Sequence, residues 1–456
     1  MNSRISSFAP YIVLASLFVA AELFRPILPI DETRYMSVAW EMFVQKHYAV
    51  LSLNFHPYHH KPPMLFWLIN GMWGIFGVSR WAALIPVYVA SASVLFLTGK
   101  VAQRLALPQA AQKSVPWLML GSVPFLAYST LIMFDMMVCA FFLATMLVLL
   151  DYAKKSVLSH ACIAGLLIGL GVLTKGPVMY LYVLWPALLY PYWRQDGDAA
   201  PKAFYKGVGI AVAISAIPVF AWLIPALMRT GNNFAFWLVW NQTAGRVTGN
   251  FSSAHVRPFY FYLYLLPLLF LPWAFMPSFW KKGKTVLARP AFRFLAASVI
   301  PAFVCFSLIA GKQPHYLLPF LPFIIIGIGF VLADVSLMSI KKISLAMIVL
   351  VMAGQAIAHW TFFPNYDLRP MVSFYQSHEN KNWAYVRKYQ GEIGFLARIK
   401  RPVDSLEFDE LPAWFEKHPN GYAIVRYGDN DDMSAYDQIF SMDYRSRTLG
   451  VFKQKN

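Results

Sequence analysis

A polytopic helical membrane protein ending in a small α/β domain is the fold class this sequence predicts, on three observations. Of its 456 residues 58% are hydrophobic and only 13% charged, about half the charged fraction of an ordinary soluble protein. Apolar runs of bilayer-crossing length recur from residue 8 to residue 362. Composition then shifts near residue 364, and most of the acidic residues lie beyond that point. The division expected is therefore a transmembrane domain at 1–363 and a C-terminal α/β domain at 364–456.

Taken in order, crossings are expected near residues 8–28, 80–98, 114–130, 132–150, 160–174, 177–193, 207–228, 259–280, 294–310, 316–335 and 343–362. The first has no small-residue cleavage site and reads as an uncleaved anchor. After it, Tyr35, Val38, Ala39, Met42 and Phe43 recur at helical spacing, which predicts an amphipathic helix over 32–45 lying along the membrane surface. The apolar segment Met64–Phe76 is short for a span and predicts an interfacial helix. In the tail, Glu392–Ile399 and Tyr422–Tyr427 alternate as strands do, and Glu410–His418 has a helical pattern.

Charge sets the orientation. Lys100, Arg104 and Lys113, then Lys154 and Lys155, then Lys281, Lys282 and Lys284, then Lys341 and Lys342 all fall in loops on one side. The positive-inside rule makes that side cytoplasmic. The opposite side receives 29–63, 129–135, Lys175, 229–258, 311–315 and the tail. The net charge of +17 is explained by these loops and by anionic lipid headgroups, so nucleic acid is not an expected partner. Cys139, Cys162 and Cys305 lie inside apolar runs and read as buried small residues.

Most of the chemically distinctive residues fall on the non-cytoplasmic side. The cluster Asp31-Glu-Thr-Arg34-Tyr stands at the mouth of the first helix, where charge is costly unless it meets water, a partner or a substrate. Asp31 fits two roles, the N-cap of a helix beginning at Glu32 and a carboxylate that acts as general base or electrostatic partner. Asp135 stands just inside an otherwise apolar helix. It requires a hydrogen-bonded partner in the helix packing or a water-filled site. Arg34, Lys61, Lys175, Arg246, Arg257 and Lys312 sit in separate turns on one face, a set suited to a phosphate or pyrophosphate. His56, His59, His60 and His255 leave open both a metal site, zinc or a similar divalent ion, and ordinary exposed histidine. No Walker motif, glycine-rich phosphate loop or Ser-His-Asp signature is present, and no nucleotide cofactor is expected.

Together, Asp31-Glu-Thr-Arg-Tyr, the Lys61-Pro62 pair, the isolated Asp135, Leu173-Thr-Lys-Gly176 and Tyr316-Leu-Leu-Pro319 resemble the bacterial lipid A aminoarabinose transferase group. That group belongs to the protein O-mannosyltransferase-like GT-C superfamily, and the resemblance covers residues 8–362. It implies a GT-C fold of about eleven to thirteen membrane helices with juxtamembrane helices on the periplasmic face. It also implies an inner-membrane glycosyltransferase that moves a sugar, with inversion, from a polyprenyl-phosphate donor to a lipid A, glycan or protein acceptor at that face. Asp31 and Asp135 match the family's acidic residues. Arg34 and Lys61 match residues near the donor phosphate, with Tyr58 and Tyr316 in the same region. His255 matches a loop histidine that helps hold a metal ion. His60 stands where the aminoarabinose enzymes carry a glutamate ligand, so the metal expectation rests on His60 and His255. A lipid-linked sugar flippase is the competing class, and would require polar residues near the midplane and paired broken helices.

Overall fold

The computed structural model describes residues 2–236 and 256–455. The chain packs as two compact units. One takes Met1–Val19, His59–Leu68 and Leu84–Met352, the other Ala20–Tyr58, Ile69–Ala83 and Ala353–Asn456.

Among the described residues, seven helices are long and apolar enough to cross a membrane. They are Arg80–Arg104, Asp135–Lys155, Leu158–Lys175, Pro201–Thr230, Pro290–Leu308, Pro314–Val331 and Leu337–Thr361. Phe8–Phe24, Met64–Phe76, Val178–Leu188 and Phe261–Phe270 are shorter apolar helices. Three stretches expected as continuous crossings are broken, and that at 177–193 divides at Leu189 into Val178–Leu188 and Tyr190–Trp193. The stretch at 114–130 forms the helices Val115–Leu120 and Val123–Tyr128, each with a proline in its first turn, where a missing N–H costs nothing. Side chains from elsewhere take up the polar groups at this break, as an apolar surrounding demands. The Trp273 indole donates to the Leu118 carbonyl at 3.0 Å and to the Ser122 hydroxyl at 3.1 Å, and Ser344 donates to the Trp117 carbonyl at 2.7 Å. The stretch at 259–280 divides into Phe261–Leu265, two 3-10 turns at Leu266–Phe270 and Trp273–Phe275, and the start of Pro277–Leu287. Pro267, Pro272 and Pro277 each remove a backbone donor there.

Helix Leu158–Lys175 lies flush on helix Pro201–Phe236 because small residues face the contact. A methyl group added at Gly165 would stand 2.5 Å from the Ala211 carbonyl oxygen, and one at Gly169 would stand 2.4 Å from Pro218 Cγ.

The other unit is built on a five-stranded sheet in the spatial order Asp404–Leu406, Trp383–Val386, Tyr422–Tyr427, Arg447–Gln454, Tyr436–Tyr444. The first three strands run parallel and the remaining pairings are antiparallel. Both faces are covered. Trp383, Tyr385, Ile424 and Val451 pack with Met371 and Tyr375 on one side, while Ala384, Val386, Ala423 and Val425 pack with Leu411, Trp414 and Phe415 on the other. Tyr422–Tyr427 is the expected strand, and the expected helix is Leu411–Lys417.

Glu392–Ile399, expected as a strand, is a run of turns. Its N–H groups bond locally, Ala397 to Ile393 and Ile399 to Gly394, and Gly391 and Arg398 adopt positive φ. Its apolar residues are placed by docking instead. Phe395 stacks on Trp73 at 5.4 Å and 7°, and Ile393 enters the sheet core.

A buried charge network fixes the start of helix Asp31–Gln45. Arg25 pairs with Glu32 at 3.3 Å, with side chains 5% and 2% exposed. Arg80 pairs with Glu22 at 2.9 Å and donates to the Arg25 carbonyl. Glu32 also accepts the Leu28 N–H at 3.0 Å. Glu32→Ala strands a buried guanidinium and should cost about 3–5 kcal/mol, read as a clear fall in the thermal unfolding midpoint of the detergent-solubilised protein. Glu32→Gln keeps an acceptor for Leu28 and should cost less. Equal midpoints for Glu32→Ala and wild type would show that the pair contributes nothing.

Candidate active site

Helix Asp31–Gln45 presents the first group of candidate residues. Asp31 is not an N-cap: Ile30 holds the cap position, and no side chain caps the helix. The Asp31 carboxylate instead receives Arg34 and, at 3.2 Å, the Tyr35 hydroxyl. Partners three and four residues ahead lie on its own face of the helix and draw it along the axis. The carboxylate is 48% exposed and the Arg34 side chain 18%. Burial disfavours the Arg34 charge, but Tyr58, Tyr35 and Asp31 outweigh it and hold the guanidinium above its ordinary range. Tyr58 is itself buried.

The same helix is gripped by the segment that follows strand Trp383–Val386. Gln390 accepts a hydrogen bond from Arg34 at 2.9 Å. Ser37 donates to the Gly391 carbonyl at 2.6 Å and accepts the Phe395 N–H at 2.9 Å. Trp40 donates to the Ile399 carbonyl at 2.7 Å. Asn54 closes a pair of bonds with Val403 at 2.7 and 2.9 Å. Glu41, buried, receives the N–H groups of Asn54 and Phe55 at 2.7 and 2.8 Å, which stabilises a turn whose two residues have positive φ. Glu392 is buried too and accepts the Gln390 N–H at 2.7 Å. Burial pushes its carboxyl up, against the pull of that N–H and of Arg34 and Arg445.

In the other unit, Asp135 and Lys175 form a buried ion pair, 3% and 6% exposed. Asp135 opens helix Asp135–Lys155 and Lys175 closes helix Leu158–Lys175, so each charge also suits its helix end. The Lys175 ammonium lies 4.6 Å over the Tyr316 ring. His315 and Lys61 stand within electrostatic range of Asp135, and Lys61 lies 5.6 Å from the Phe134 ring. The His315 ring meets Tyr316 at 5.0 Å and Tyr128 at 6.2 Å. Tyr182 fixes the backbone here by donating to the Tyr316 carbonyl at 2.9 Å. The arrangement gathers several cations and phenol or imidazole rings around one carboxylate. Such an arrangement is chemically suited to holding an anion.

Two cations expected at the phosphate differ from each other. Arg257 is exposed and stacks 4.6 Å over Phe261. Lys312 is 2% exposed and donates to the carbonyls of Arg257, at 2.9 Å, and Ile309. It clamps two strands of backbone together, and burial pulls its ammonium below the usual lysine range. These two bonds use two of the three N–H donors of the ammonium. His255 and Arg246 lie outside the described residues. His60 packs on His59 with ring centroids 4.9 Å apart. Among the described residues no group of three His, Cys, Asp or Glu side chains is placed to hold a metal ion.

Two residues now at the site escaped the sequence reading. His315 lay in view beside Tyr316, inside a turn singled out for its lysine. Gln390 gave no signal, being a neutral amide 356 residues from Arg34. Single substitutions Asp135→Leu and Lys175→Met each remove one partner of this buried pair and should each cost up to about 3–5 kcal/mol, the second less because Lys61 and His315 still face Asp135. The double variant should cost less than their sum, measured by denaturant unfolding in detergent. Strict additivity would show that the pair is not coupled.

Residues 60–222 match the family model described as dolichyl-phosphate-mannose-protein mannosyltransferase. The undecaprenyl phosphate-alpha-4-amino-4-deoxy-L-arabinose arabinosyl transferase of Pseudomonas paraeruginosa is 27% identical over 301 residues, which cover 63% of this chain and 52% of that protein. The chain thus spans about half the length of the curated relatives it matches. The crystal structure of ArnT from Cupriavidus metallidurans bound to undecaprenyl phosphate superposes with a TM-score of 0.79 at 16% identity, covering 99% of this chain and 98% of that one. The archaeal oligosaccharyltransferase AglB from Archaeoglobus fulgidus, in complex with an inhibitory peptide and a dolichol-phosphate, gives 0.59 at 13% identity, over 92% and 69% of the two chains. The Archaeoglobus fulgidus oligosaccharyltransferase has also been crystallised with zinc and sulfate, and that structure gives 0.51 at 13% identity over 97% and 73%. These likenesses establish the fold as the one shared by ArnT and AglB.

Proposed function

We propose that this protein is an integral-membrane glycosyltransferase that moves a sugar from a polyprenyl-phosphate donor to a lipid A, glycan or protein acceptor. The observation that carries this reading is the cationic surround of Asp135, where Lys175, Lys61 and His315 meet one buried carboxylate beside Tyr316. Apolar helices supply the walls that a polyprenyl tail needs. The names of the matched relatives and the undecaprenyl phosphate bound to ArnT point to the same donor class.

In the reaction, the bond between the sugar carbon and the donor phosphate breaks, and an acceptor oxygen bonds to that carbon. The electron pair leaves with the phosphate. Lys61, Lys175, Arg257 and Arg34 stabilise the growing negative charge, and Tyr58 and Tyr316 line the donor region. Asp31, exposed at its helix start, takes the proton of a hydroxyl acceptor or orients an acceptor that is already anionic. Asp135 holds Lys175 in place. We place this chemistry on the periplasmic side of a bacterial inner membrane, from the loop charges, with residues 364–456 as a small α/β domain on the same side. A divalent metal held by His255 together with His60 is part of the proposal, and no step above depends on it.

Purified protein supplied with radiolabelled polyprenyl-phosphate sugars and lipid A should yield labelled product. Lys61→Ala and Asp31→Asn should each reduce transfer by about 100-fold, the scale on which a single charge-stabilising group acts. Wild-type transfer by both variants would overturn the site assignment. Labelled donor crossing vesicles without product would overturn the reaction.

A further inference from the structure

The tail segment Gln390–Phe395 is tied to the helix that carries Asp31 by bonds that general packing does not require. The Arg34 guanidinium has one terminal nitrogen on Asp31 and the other on Gln390 Oε1, at 2.9 Å. Its Nε is buried and makes no hydrogen bond among the described residues. Gln390 is itself fixed, since its N–H donates to the buried Glu392 carboxylate at 2.7 Å. The next residue, Gly391, has φ +78 and lets the chain close on the helix. A methyl group there would stand 2.8 Å from Leu53 Cδ1 and 2.9 Å from Ser37 Cβ, where Ser37 bonds the Gly391 carbonyl.

We propose that Gln390 is a positioning residue for Arg34, one that orients the guanidinium without adding a second negative charge where an anionic donor would bind. The chemistry of position 390 carries the second half of this statement. A carboxylate at that position would also hold Arg34, but Asp31 already balances the guanidinium, so a second carboxylate would leave the cluster net negative and repel a phosphate. An amide oxygen supplies the same acceptor geometry without a charge. The buried Nε–H and the second N–H of each terminal nitrogen are the donors these two bonds do not use. In this way the tail, which carries no proposed catalytic residue, sets the geometry of one that does.

The inference rests on Arg34 serving the donor, and two readouts separate the claims. The first is the rate at which phenylglyoxal modifies Arg34 in the full-length protein, followed by peptide mass spectrometry; it needs no activity. Gln390→Ala should raise that rate severalfold, and Gln390→Glu should lower it to wild type or below. The second is the donor KM with a polyprenyl-phosphate sugar. Both variants should raise it about tenfold or more with a smaller change in kcat, the glutamate variant because a second carboxylate repels the phosphate. Thermal unfolding midpoints near wild type would set aside a folding defect. An unchanged modification rate in Gln390→Ala overturns the positioning role whatever the activity. A raised rate with wild-type KM in both variants overturns the link to the donor. Failure of the wild type to transfer sugar counts against the proposed function, and the modification rate still decides whether Gln390 holds Arg34.

Discussion

A charge that leaves water must bring its partner with it, and the buried pair Asp135–Lys175 shows how much of this structure follows from that constraint. Removing two ions from water costs several kcal/mol each, returned only when geometry and further hydrogen bonds are good. Both residues sit at helix ends, so the backbone dipoles contribute to the balance. The ring of Tyr316 covers the ammonium, and Tyr182 holds the Tyr316 backbone in place. The turn containing His315, the helix ends and Lys61 are therefore arranged around a pair that cannot be moved cheaply. A site built on such a pair is rigid before any substrate arrives, as electrostatic catalysis requires.

The helix bearing Asp31 is held on a different principle. Apart from the Arg25–Glu32 pair at its start and the local Asp31–Arg34 contact, its side-chain bonds to the tail meet neutral tail groups: Ser37 and Trp40 donate to the Gly391 and Ile399 carbonyls, and Arg34 donates to the Gln390 amide oxygen. The neutral bonds among these fix position at about 0.5–1.5 kcal/mol each and add no charge beside Asp31 and Arg34. The two-sided burial of the tail sheet matters here. A segment can hold a helix in register only if it is anchored itself, and Ile393 and Ile399 are rooted in the core on one face of that sheet.

Hydropathy revealed the membrane class, the helix after the first apolar run and the lone intramembrane aspartate, because each is a local contrast between neighbouring residues. It missed what depends on distant partners. The break between Leu120 and Val123 looked like a single crossing because the groups that satisfy it, Trp273 and Ser344, lie far along the chain. The strand Trp383–Val386 gave no alternating pattern because both of its faces are buried. Glu392–Ile399 alternated for another reason, since its apolar residues dock on Trp73 and the sheet core. Lys312 looks like its fellow lysines in apolar-flanked turns, and its two carbonyl partners, which tie the turn together, are visible only in the structure.

Position 390 is the clearest instance of this limit. Sequence searches for catalytic groups weigh charge and titratability, and glutamine offers neither. Yet a guanidinium that must attract an anion is better oriented by a group that adds no second negative charge, and that favours an amide where a carboxylate would bind more strongly. The stronger contact would make the poorer site. Selection for a bound anion thus leaves a residue that looks inert in the sequence and whose role appears only when Arg34 is seen between Asp31 and Gln390.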